Sequence, residues 1–150
     1  MKNNQLKIFG LLILLTISVT SCKKSKTEPD GKTDALTGAW QEANMSGSIA
    51  RRLVFKPGGD FTMEIWTNNY KSGEVNGTYT IDGSNLTVNI SEEVEINSAG
   101  SATRRKVNRQ LFEKGKFSIS NDILTIKCIT YPADAPVDTE FKYGKIRAID

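Results

Sequence analysis

From Leu36 onward apolar side chains recur at every second position, and Gly, Asn and Asp interrupt them about every ten residues. A two-residue period with such punctuation predicts antiparallel strands, each with one dry face, and no helical stripe. Strands are expected near 36–43, 50–56, 61–67, 76–81, 86–96, 105–112, 116–119, 123–130 and 139–149, with 105–112 and 116–119 forming either two strands or one bent strand. Reversals fall at Lys56-Pro57-Gly58-Gly59-Asp60, Asp82-Gly83-Ser84-Asn85 and Ser120-Asn121-Asp122. Proline, glycine, Asn and Asp suit the φ values such turns need.

Two hairpins repeat one pattern. Thr78-Tyr79-Thr80-Ile81 followed by Leu86-Thr87-Val88 resembles Lys116-Phe117-Ser118-Ile119 followed by Leu124-Thr125-Ile126. Each has one apolar face that a lone hairpin cannot bury, so both must join a closed or stacked sheet. Leu86 to Ile96 reads as one long strand, with Glu92 in phase with Leu86, Val88, Ile90, Val94 and Ile96. Long tilted strands suit a barrel wall; a β-sandwich is the alternative. Glu92 in that row marks either a bulge or a polar patch inside a cavity.

The N-terminus follows other rules. Lys2 and Lys7 precede the short apolar run Ile8–Ile17. A run of that length falls short of the ~20 helical residues that span a bilayer, so residues 1–21 read as a secretory signal. Val19-Thr20-Ser21-Cys22 resembles a bacterial lipobox. That resemblance implies cleavage before Cys22 and its acylation with palmitate-type chains, several of which anchor firmly where one does not. Residues 22–35 are polar and read as a flexible tether. Lys23, Lys24 and Lys26 stand where surface-exported relatives carry acidic residues, which favours an outer-membrane protein facing the periplasm. Loss of Lys2 and Lys7 lowers the formal charge from +3 to +1 and removes the electrostatic case for a nucleic-acid partner.

Catalytic chemistry finds little foothold. The chain has no histidine, which excludes Ser-His-Asp and Cys-His machinery and histidine-ligated zinc. With Cys22 lipidated, Cys128 has no disulfide partner, and its place in phase with Leu124 and Ile126 marks a core thiol. Glu93 and Glu95 share one strand face and cannot flank a glycosidic bond. No enzyme activity, metal or cofactor is expected.

Leu36-Thr37-Gly38-Ala39-Trp40 resembles the Gly-x-Trp element that opens the first strand of lipocalins. Leu53-Val54-Phe55, Pro57-Gly58-Gly59-Asp60-Phe61 and Gly77-Thr78-Tyr79-Thr80-Ile81-Asp82-Gly83 extend the likeness to the lipocalin-like domain of Bacteroidetes-type lipoproteins. The resemblance implies an all-β, up-and-down barrel of about eight strands over 36–150, with Gly38 and Trp40 closing one end. It also implies an arginine over Trp40, for which Arg147 is the candidate by position. Such a barrel either fills with side chains or holds one small ligand. Phe55, Phe61, Met63, Ile65, Tyr79, Val88, Ile90, Phe117, Ile126 and Phe141 are the candidate lining, for a small hydrophobic or amphipathic ligand. Trp66, beside Asn68, Asn69 and Tyr70, points outward if its strand is regular and inward if it bulges. Outward, it and the basic pair Arg104-Arg105 would form a contact surface for an envelope protein or glycan. The expected unit is a monomer.

Overall fold

The computed structural model describes residues 33–43 and 48–147. The signal 1–21, Cys22 and the tether as far as residue 32 lie outside these residues.

A four-residue helix, α1 (Thr33–Leu36), leads into β1 (Gly38–Glu42), β2 (Ile49–Phe55), β3 (Asp60–Thr67), β4 (Tyr70–Asp82), β5 (Asn85–Ile96), β6 (Ala102–Leu111), β7 (Glu113–Ser120), β8 (Ile123–Thr130) and β9 (Val137–Ile146). All pairings are antiparallel, and β9 returns to β1 with Ala39 opposite Ile146. The ring β1–β2–β3–β4–β5–β7–β8–β9 is a closed eight-stranded barrel, and β6 attaches to β5 as a ninth strand. Closure removes the sheet edges that an open β-structure must otherwise protect.

The turns follow from their residues. Asn68 and Asn69 (φ 52° and 65°) join β3 to β4, and Asn121 and Asp122 (φ 49° and 59°) join β7 to β8. Two consecutive positive φ values match the right-handed twist of the flanking strands. β6 and β7 are successive parts of one bent strand along the same edge of β5. The bend sits at Phe112 and Lys114, both with positive φ. Beyond it β7 pairs with β8, whereas β6 has β5 as its one partner among the described residues.

Strand alternation sends Trp40, Leu53, Phe55, Phe61, Tyr79, Val88, Ile90, Leu124, Ile126 and Tyr143 into the barrel, where all are buried. Fully burying a side chain of this kind contributes ~1.5–3 kcal/mol relative to leaving it exposed. At the closed end the Phe55 ring lies 5.1 Å from Phe61 and 5.0 Å from Tyr79, the latter edge-on. Such tilted aromatic contacts add to the area term. Leu36, on α1, plugs the same end and is fully buried.

β4 begins at Tyr70, six residues before the expected start at 76, because its first half carries Lys71, Ser72, Gly73 and Glu74 and shows no apolar alternation. β5 is not in one phase throughout. Its register shifts between Ile90 and Glu92 against β6, and Ser91 is skipped in the pairing with β4. That bulge turns Glu92 and Val94 to the outer face and Glu93 and Glu95 to the inner one.

Candidate functional site

The bulge at Ser91 builds the mouth of the barrel. Leu53, Met63, Val75, Glu93 and Arg105 stand opposite one another in a row running across β2 to β6. Paired residues in antiparallel strands share a face. Leu53, Met63 and Val75 are core residues, so Glu93 and Arg105 lie on the concave side above them. Arg109 pairs with Ile90 and faces the same way.

Arg105 donates to Oε2 of Glu93, and Nε of Arg109 donates to Oε1 at 3.0 Å. These two hydrogen bonds, that from Arg105 foremost, hold the Glu93 carboxyl below the ordinary carboxylate range. Beside the three charges a groove of about 510 Å³ is lined by Ile65, Gly73 and Val75, and also by the carboxylates Glu74 and Glu95. Gly73 belongs there for a steric reason: a Cβ would stand 2.8 Å from the Val94 carbonyl oxygen. Around the rim Arg51 pairs with Glu42 at 3.1 Å, and Arg51 stands opposite Ile65. The mouth therefore joins an apolar floor to a charged, internally neutralised rim, and can host a molecule with one apolar and one polar end.

The predicted lining divides into two levels. Phe55, Phe61, Tyr79, Val88, Ile90 and Ile126 are packed into the core below the mouth. Met63 is 8% exposed at the boundary. Ile65 is half-buried at the mouth. Phe117 and Phe141 are half-buried against the core, Phe141 with its ring 6.1 Å from Phe112. Cys128 is buried, and desolvation pushes its thiol pKa up. Tyr143 is buried too; desolvation first and the Glu42 charge second push its hydroxyl pKa far up.

Gly38 and Trp40 close the opposite end, but the expected cation does not come from Arg147. Nζ of Lys145 lies 5.3 Å from the Trp40 ring centroid. Arg147 lies past the end of β9, exposed, and pairs with Asp122 on the β7–β8 turn. Lys145 is the residue opposite Trp40 in the β1–β9 register. Topology decides which residue meets the ring, and sequence position two residues away does not.

Trp66 faces outward. A bulge does fall between Ile65 and Trp66, but it is β4 that carries the extra residue, Ser72, and Trp66 stays opposite Ala50 on the outer face. Its indole N–H donates to Glu64 Oε2 at 3.1 Å, and the Arg52 guanidinium stacks 5.5 Å from its ring. A groove of about 580 Å³ passes Ile49, Ala50, Arg52, Trp66, Asn68 and Asn69. A charged belt continues from there. Lys71 bridges Glu64 and Glu74, Asn76 donates to Glu74 and Glu92, and Arg104 pairs with Glu92 at 2.7 Å. Burial pulls the Lys71 pKa down, but its bonds and charges to Glu74 and Glu64 outweigh this and leave it raised. Arg104 thus belongs to the outer belt and Arg105 to the inner mouth, so the two adjacent arginines serve different faces.

The Glu42–Arg51 pair and Gly73 escape a reading of the sequence. Arg51 carries no apolar flag and sits beside a second arginine, and the register alone brings it to the mouth. Among the described residues no three His, Cys, Asp or Glu side chains gather as a metal site. Comparison with protein-family models, curated proteins and solved structures returns no match.

Proposed function

We propose that this chain is a lipid-anchored envelope protein with a lipocalin-like barrel that binds a small amphipathic molecule at its open mouth, without catalysis. The observation that carries the reading is the cross-strand row from Met63 through Val75 to Glu93 and Arg105. It puts apolar contact area beside Arg105 and Arg109, whose guanidinium groups have more donors than Glu93 accepts. Because the aromatic cluster fills the lower barrel, the ligand sits high, with its apolar part on Ile65 and Val75 and its polar end at the rim. Anchoring follows from Cys22 at the end of the lipobox-like segment.

Two measurements test the parts separately. Native mass spectrometry of the protein purified from membranes should show a copurified amphiphile. The probe 1-anilinonaphthalene-8-sulfonate should brighten with the native protein and lose that response in Ile65→Glu and Arg105→Ala. A consistently empty spectrum with no probe response rejects the ligand. Labelled palmitate should enter the native chain and not Cys22→Ala; equal labelling rejects the anchor.

A second reading rests on the outward indole of Trp66 in its own groove beside Asn68 and Asn69. An aromatic ring flanked by amides stacks on a sugar or a partner side chain. Trp66→Ala would then abolish capture on immobilised envelope glycan while the melting temperature stays close to native.

A further inference from the structure

β6 pairs with β5 along one side, and among the described residues no strand pairs with the other. Its ten residues include Arg104, Arg105, Lys106 and Arg109 and no carboxylate, and all but Val107 and Leu111 are exposed. A long strand with a free row of N–H and C=O groups is a template for another strand. We propose that the free edge of β6 captures an extended acidic segment of a partner protein by strand addition.

Two observations choose this occupant. The one strand that β6 does pair with is acidic: Arg104 bonds Glu92, Arg105 and Arg109 bond Glu93, and Glu95 stands opposite Thr103. The Arg104 and Arg105 side chains remain 60% and 75% exposed while making these bonds, so their unused donors are open to a second neighbour. Lys106 forms no ion pair among the described residues. The opposite candidate, a second copy, is disfavoured by charge. A two-fold β6–β6 pairing would set arginines and lysine of one copy against those of the other, and like charges directly opposite destabilise a sheet. An incoming acidic strand meets cations on both faces of β6, Arg104 and Lys106 outside and Arg105 and Arg109 inside.

The test uses the full chain and a synthetic peptide, acetyl-Ser-Glu-Glu-Val-Glu-Ile-Asn-amide, which copies the β5 stretch that β6 already accepts. Hydrogen exchange over residues 102–111 should slow roughly tenfold in saturating peptide, with protection of β5 unchanged. The lysine counterpart, acetyl-Ser-Lys-Lys-Val-Lys-Ile-Asn-amide, should leave exchange as it was. Lys106→Gln, at a position with no ion pair among the described residues and with no like charge placed opposite Glu92, should weaken the acidic peptide about threefold. Unchanged exchange in β6 at millimolar acidic peptide overturns the proposal. So does equal protection by the lysine peptide, or a β6 already protected in a dimer seen by sedimentation, which would give the edge to a second copy.

Discussion

The indole N–H of Trp40 donates to the carbonyl of Leu36 at 2.8 Å, and both side chains are fully buried. α1 and β1 are thereby tied at the closed end, where Nζ of Lys145 also stands over the indole. Trp40→Phe keeps most of the packing but strands the Leu36 carbonyl, an expected loss of about 1–3 kcal/mol. Trp40→Ala should cost about 3–5 kcal/mol. Urea unfolding of the two variants measures both, and the order of the two losses is the informative part.

Two glycines forecast opposite outcomes. A Cβ on Gly77 would lie 1.9 Å from the Asn89 carbonyl oxygen, so β4 and β5 cross here closer than any side chain permits. Gly77→Ala should lose about 3 kcal/mol or more, because backbone must move. Gly144 has nothing within 4 Å of that position and no unusual φ. Gly144→Ala should be neutral or gain up to about 1 kcal/mol, since alanine has less freedom to lose in a strand. Thermal melting of the pair decides it.

Stability should fall at alkaline pH. Burial raises the folded-state pKa of both Cys128 and Tyr143. Their contribution is complete below the unfolded values, about 8.5 and 10, and is lost as pH rises through the folded values. Tyr143→Phe should flatten the part of the stability curve above about pH 10 and leave the part below it parallel to native. Chemical unfolding from pH 7 to 11 follows this directly. An unchanged slope in the variant would assign the alkaline loss elsewhere.

The two tryptophans should emit differently. Trp40 is fully buried, whereas Trp66 is half-buried on the outer face. Acrylamide should quench Trp66 strongly and Trp40 weakly. Trp66→Phe should leave a single blue-shifted emitter, and residual red emission in that variant would contradict the burial of Trp40.

Much of the barrel was legible because side-chain period two is enforced by burial. Phe61-Thr62-Met63-Glu64-Ile65 and Leu124-Thr125-Ile126-Lys127-Cys128 could not alternate otherwise and still bury one face. The lower core, Phe55, Phe61, Tyr79, Val88 and Ile90, was legible for the same reason. The mouth was not, because it depends on where alternation breaks. One extra residue at Ser91 moves Glu93 from the wet side to the concave side; Glu92 in the apolar row pointed to a bulge or a polar patch, but no local signal chose between them or showed which residues would be turned inward. The first half of β4 hid for a related reason. Gly73 and Gly77 are set by the close approach of β5, whose bulge brings its backbone against β4 far from the predicted hairpin turn.

The seam of β1 with β9 joins the start of the barrel to its last strand. A polypeptide made from its N-terminus can form β1 to β8 and still be an open shell with two raw edges. It seals only when β9 arrives, so the slow and aggregation-exposed moment of its folding falls at the end of synthesis. A premature stop inside β9 would yield not a shorter barrel but a sticky sheet, a target for chaperones and proteases rather than a working protein.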